Sequence, residues 1–388
     1  MIKSELNRKK AFILSHKPVY SLWYFIIFFL FSTRTWYFYQ IDAAPGPILA
    51  ALLLLISSVR FSVALGHVQK VIFLIVFVTL EVVISALRID DIYLNSVIGI
   101  VIGVALFFVL PYHLAKRAKP ISMALDGIIV IHVIFWLAQF VWFFAFGDIP
   151  NFLEAITGEK SRNFNHLGII RASGLFNEPM TYSAFILSIN FMRMLYHRKL
   201  DWIGYSALIT SFFSFSLFGM IMAFFQFLIL FRWSSLEIVK YSVIFVIVLS
   251  CVLVIPSISD ILLRIGEERF LNISNDSSFD YRYKSSATAF VNDNELLLFG
   301  DGIGNYSSDK SVKDLSTLLQ GFTSFGIFAG LLFWLLILVV RISNSKSWLF
   351  LGWLFLWLMG DLRIQQLWFW VVISFWVGHK KFHRYANS

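Results

Sequence analysis

Apolar runs of about 20 residues, enough to cross a hydrocarbon layer of about 30 Å, recur from one end of the chain to the other. They predict twelve spans, at approximately 19–38, 46–59, 71–88, 94–115, 121–146, 179–196, 202–216, 218–231, 238–256, 320–340, 347–360 and 365–378. Two long polar stretches interrupt the series, from Gly147 to Pro179 and from Ser257 to Leu319. The expected fold is therefore an all-α polytopic membrane protein. Residues 1–388 form one integral membrane domain, with long loops at 147–178 and 257–319. A transmembrane β-barrel would show alternating segments of about 10 residues instead.

The pattern is ambiguous from Trp202 to Phe231, which reads as one long tilted helix or as two short helices meeting near Ser214, Ser216 and Gly219. Inside the second loop, Ile258, Ile261, Leu262 and Ile265 share a helical face opposite Asp260, Arg264 and Glu267. That spacing predicts an amphipathic helix lying on the membrane surface or packed on its neighbours. A second short helix is expected from about Tyr281 to Leu298.

Composition agrees with lipid. The chain is 59% hydrophobic and 14% charged, against about 25% charged residues in a soluble domain. The net charge of +9 raises nucleic-acid binding, but its distribution is that of a membrane topology. With a cytoplasmic N-terminus, the inner segments hold 20 of the 32 Lys and Arg residues and only three acids, Glu5, Asp201 and Glu237. The other side holds 12 basic residues against 18 acids. This is the positive-inside asymmetry. It puts both termini inside and both long loops outside, and it favours two short helices over one in 202–231. The basic start leads into an apolar span too long for a signal peptide and without a small-residue cleavage site, so a retained first span is expected. Cys251 is the single cysteine, which excludes an internal disulfide or cysteine metal site.

Chemistry is expected in the loops. The first ends Arg171-Ala-Ser-Gly-Leu-Phe-Asn-Glu178-Pro179, directly before a span. Pro179 suits the first turn of a helix, which places Arg171 and Glu178 at the membrane boundary, near a lipid headgroup. Guanidinium donates two parallel charge-assisted bonds to phosphate; the plain alternative is an Arg–Glu surface pair. The second loop supplies Arg264, Arg269, Arg282 and Lys284, with Asp280 beside the last two. Cations gathered on the acid-rich side suit an anionic substrate, although Glu267, Glu268 and Asp276 are available to some of them as salt-bridge partners.

Other motifs carry less. Gly300-Asp-Gly-Ile-Gly304 lacks the strand and βαβ unit of a dinucleotide site and reads as a tight turn. There is no His-Glu-x-x-His, histidine cluster or Asp-x-Asp, so no metal or other cofactor is expected. Within spans, Glu81, Asp126 and His132 are costly unless paired or facing a cavity. They read as a proton relay or as interhelical hydrogen-bonded glue.

The Arg171–Pro179 stretch resembles the arginine–glycine–proline signature of the Wzy-type O-antigen polymerases and their relatives, the O-antigen ligases. The resemblance continues through Ser214-Phe-Ser216-Leu-Phe-Gly219, Ser278-Phe-Asp-Tyr-Arg282, Phe299-Gly-Asp-Gly-Ile-Gly304 and Gly326-Ile-Phe-Ala-Gly330, covering roughly residues 165–335. It implies glycosyl transfer at the periplasmic face of a bacterial inner membrane. A growing chain would pass from undecaprenyl pyrophosphate to the terminal sugar of another lipid-linked repeat unit, without nucleotide sugar or metal. A separate chain-length regulator is implied as a partner. The ligases resemble a pattern with a histidine in the second long loop. None occurs here between His197 and His379, and His166 is the histidine placed in an outer loop, which favours polymerase.

On that resemblance, Arg171, Arg282 and one of Arg264, Arg269 or Lys284 hold pyrophosphate, and Glu178 or Asp280 accepts the acceptor's proton. A ligase remains the near alternative. A lipid-linked oligosaccharide flippase is the distant one, with charges expected in a central cavity rather than in loops.

Overall fold

Helix ends fall where local chemistry demands them. The computed structural model describes residues 17–33, 45–58, 79, 94–158, 165–166, 169–197, 201–231, 298, 300, 322, 325–331, 334, 357 and 367–375. Its elements are α1 (Lys17–Ser32), α2 (Pro45–Ser58), α3 (Leu94–Lys116), α4 (Ala118–Phe146), α5 (Phe152–Thr157), α6 (Pro179–His197), α7 (Trp202–Phe212) and α8 (Leu217–Phe231). A small antiparallel hairpin of β1 (Asn165–His166) and β2 (Ile169–Ile170) precedes α6, pairing Asn165 with Ile170 and His166 with Ile169. Gly147 closes α4 in the left-handed region, at φ 79°, and returns its N–H to Phe143 O. Asn151 starts α5 by accepting from Glu154 N–H while donating to the Glu154 carboxylate. Asp201 caps α7 through the N–H of Gly204 at 3.0 Å.

Side-chain pairs fix the directions of the helices. Arg117 lies over the ring of Tyr20, Tyr24 bonds His113, and Trp23 bonds Ser57. Ser122 bonds His197, and Arg193 bonds both Asp126 and Asp201. One end of the bundle therefore gathers the starts of α1, α4 and α7 with the finishes of α2, α3 and α6. At the opposite end Gly46 abuts Thr33, and the start of α6 meets the later part of α4.

The same logic decides between the two sequence readings of 202–231. Asp201 meets Arg193, whereas Thr210 meets Tyr182 and Ser214 meets Ser183, so α7 runs antiparallel to α6. Gly219 then packs on Ser183, and Gln226 bonds Asn190, so α8 runs parallel to α6. The chain reverses between them, with Phe215 at φ 52°, the one non-glycine at positive φ among the described residues. The eleven residues of α7 span about 16 Å at 1.5 Å each.

Among the described residues, α4 alone is long and apolar enough to cross a membrane by itself. Shorter apolar helices occupy Val19–Ser32, Gly46–Ser57, Gly99–Pro111 and Phe218–Ile229. The nineteen residues of α6 carry Ser183, Ser188, Asn190 and Arg193, all buried, which is why length does not make α6 apolar. The spans expected at 71–88, 238–256, 320–340 and 347–360 lie wholly or mostly outside the described residues. The segment 367–375 is helical and buried throughout. Trp368 meets Phe31 and Phe185, while Trp370 fills the space where Gly103 has no side chain.

Candidate functional site

The turn from Arg171 to Glu178 lies in the angle between α4 and α6. Pro179 is the first residue of α6 and needs no hydrogen-bond acceptor there. Glu178 precedes it as the cap: its carbonyl accepts from Tyr182 N–H at 3.1 Å and its carboxylate from the Thr181 hydroxyl at 3.2 Å. Upstream, Ser173 and Phe176 close a tight turn. Phe176 N–H donates to Ser173 O at 3.1 Å, and the Ser173 hydroxyl donates back to Phe176 O at 2.8 Å. Gly174 occupies the left-handed region at φ 60°, where a side chain would be strained.

One buried amide holds this turn in place. Gln139 Oε1 accepts the N–H groups of Ser173 at 2.9 Å and Gly174 at 2.7 Å. Its Nε2 donates to Pro150 O at 3.0 Å and Gly174 O at 3.3 Å. Both ends of the first loop are thus tied to the same side chain of α4. Buried backbone groups left without partners would cost about 1–3 kcal/mol each, so Gln139 makes burial of Ala172, Ser173 and Gly174 possible. The Phe176 ring completes the seat, with its centroid 5.1 Å from His132, 5.3 Å from Phe185 and 6.0 Å from Tyr182.

Arg171 and Glu178 flank the buried turn, both half-buried. Arg264, Arg269, Asp280, Arg282 and Lys284 lie outside the described residues, as do both expected helices of the second loop apart from Leu298. Gly300, at φ 74°, has the backbone of a turn glycine. Just below the Arg171–Glu178 turn, Ser183 donates to Pro179 O and shares a 2.7 Å bond with Ser214, and Tyr182 donates to Thr210 at 2.8 Å. The serine-rich reversal between α7 and α8 therefore sits one turn beneath the motif.

Of the polar residues expected within spans, Asp126 is committed to a partner. Asp126 binds Arg193, which also binds Asp201, so its role is interhelical pairing. Burial pushes the Asp201 carboxyl up. The hydrogen bonds from Arg193 and Gly204 N–H and the positive charges of Arg193 and His197 outweigh that and hold it below the ordinary carboxylate range. His132 is fully buried among Phe29, Phe176 and Phe185. Glu81 lies outside the described residues. Among the described residues, no group of three His, Cys, Asp or Glu side chains is placed to hold a metal ion.

Neither Gln139 nor Arg193 stands out in the sequence as a site or framework residue. The signal that finds Gln139 is the one that flagged Asp126: a polar side chain inside an apolar run must have a partner. No protein-family model, curated protein or solved structure matches this chain.

Proposed function

We propose that this protein is a metal-independent glycosyltransferase of the bacterial inner membrane. It would polymerise undecaprenyl-pyrophosphate-linked oligosaccharide units into a surface polysaccharide at the periplasmic face. The observation that carries the reading is the Arg171–Glu178 turn, held rigid by neutral hydrogen bonds directly before Pro179 starts α6.

Support for a multi-span, lipid-embedded fold comes from the exposed stripe of Ile134, Leu137, Val141 and Phe144 on α4, a contiguous apolar face that water would not tolerate. Arg117 and Lys119 lie at the end of the bundle opposite the turn. That sidedness fits the positive-inside reading, in which the loop 147–178 faces out; the reading further takes twelve spans, cytoplasmic termini and the loop 257–319 outside.

In the proposed reaction, Arg171 and Arg282, with Arg264, Arg269 or Lys284, grip the donor pyrophosphate beside the positive end of the α6 dipole. The acceptor hydroxyl gives its proton to Glu178, or alternatively to Asp280, as its oxygen bonds the anomeric carbon. The bond from that carbon to pyrophosphate breaks, and the departing oxygen keeps the electron pair under arginine stabilisation. Purified protein incubated with lipid-linked repeat units should produce a ladder of longer glycans on a gel. Arg171→Ala and Arg282→Ala should abolish the ladder while folded protein remains in the membrane. A normal ladder from either variant removes that residue's role, and full activity in Glu178→Gln removes Glu178 as base.

A further inference from the structure

Where α4 runs past the level of the motif turn, Trp142 is 44% exposed. Its indole N–H donates to Asp148 Oδ1 at 2.8 Å. Gly147, closing the helix in the left-handed region, turns the chain back so that the carboxylate reaches the ring. Phe146 tilts against the indole with centroids 4.5 Å apart. This pair is joined to the motif: two residues after Asp148, Pro150 O is held by the same Gln139 that holds Ser173 and Gly174.

A tryptophan that merely anchors a helix at a membrane surface keeps its N–H for water and headgroups. Here the N–H is taken by the protein's own carboxylate, so the indole offers its face and is fixed in orientation. Asp148 is itself exposed, which leaves its second oxygen available as an acceptor. A flat apolar face beside a carboxylate acceptor fits a pyranose ring, which stacks its axial C–H bonds on the indole while its hydroxyls donate to the carboxylate.

We propose that Trp142 and Asp148 form a saccharide-binding shelf for the sugar portion of the substrate, whose charged portion is assigned to Arg171. The sugar identity of the occupant rests on the proposed glycosyl transfer. The shelf itself rests on the geometry of Trp142, Asp148 and Gln139.

The test uses the full-length protein in nanodiscs, titrated by calorimetry or saturation-transfer NMR. The probe is a set of soluble oligosaccharide fragments released from the source cell's surface polysaccharide, free of pyrophosphate and lipid. Trp142→Ala should weaken fragment binding about tenfold or more, which is about 1.4 kcal/mol. Asp148→Asn should weaken it about threefold, and Trp142→Phe should fall between wild type and Trp142→Ala. Arg171→Ala should leave it unchanged. The shelf is overturned if wild type binds no fragment, if Trp142→Ala binds as well as wild type, or if Arg171→Ala loses as much as Trp142→Ala. A wild type that binds fragments through Trp142 yet extends no lipid-linked unit would sink the transferase reading and leave the shelf standing.

Discussion

The two ends of α6 solve the same packing problem with opposite chemistry. At its finish, Arg193 is 1% exposed and its charge is consumed by Asp126 and Asp201, while His197 is bonded to Ser122. At its start the connections are neutral: Gln139 to the motif backbone, Ser183 to Ser214, Tyr182 to Thr210. Charges at the finish hold helices together, and so have nothing left for a ligand. At the start, the turn that carries Arg171 and Glu178 is fixed through its backbone, by Gln139 and by the Ser173–Phe176 bonds.

The largest blow to this contrast should come from Arg193→Met. It leaves two half-buried aspartates without their cation, and breaking a pair whose arginine is buried costs up to about 3–5 kcal/mol. Thermal unfolding followed by size exclusion in detergent should show it. If the melting point is unchanged, the finish of α6 is not an ionic framework.

Gln139→Leu comes next. It strips the buried N–H groups of Ser173 and Gly174 of their acceptor, at about 1–3 kcal/mol each. The damage should stay local, with hydrogen exchange rising across 171–178 while the Arg193 end keeps its protection. Equal exchange at both ends would show that the two regions are not separate.

Gly219→Val is expected to follow. A Cβ on Gly219 would stand 2.5 Å from Ser183 Oγ and 2.9 Å from Ser211 O, and overpacking of this kind costs about 1–3 kcal/mol. Because Ser183 also holds Pro179 O, activity should fall further than stability does.

The smallest effect is one of pH. Asp201 is held below the ordinary carboxylate range in the folded protein, so its stabilising contribution is intact above the unfolded value of about 3.9. It is lost as pH falls through the lower folded value. Acid should therefore loosen the finish of α6, and Asp201→Asn should flatten that part of the stability profile. A variant with the same acid dependence as wild type would assign the sensitivity elsewhere.

Local pattern made α4, the Pro179 start of α6 and the Arg171–Glu178 turn legible, because each is written in consecutive residues. What pattern could not reach was pairing. The sequence left Asp126 open between proton relay and glue, since its partner Arg193 is 67 residues away. Gln139 sits silently between Ala138 and Phe140, and its meaning arises only when Pro150 and Gly174 come alongside. The reversal between α7 and α8 was favoured from charge bias alone. Its turn places an aromatic, Phe215, at positive φ, a conformation that no residue-by-residue propensity would choose. The twelve-span count remains a reading of hydropathy, with α4 as its clearest embodiment in the described residues.

The shortness of α7 carries a consequence for the surrounding lipid. In the proposed membrane setting, a helix of about 16 Å beside a hydrocarbon layer of about 30 Å would force the leaflet to thin or the protein to tilt. Thinning would draw phosphate headgroups down toward the Ser214 reversal and the turn above it. On the proposed glycosyl transfer, long acyl chains, which thicken the leaflet, should then hinder the approach of a lipid-linked substrate, and short ones should ease it.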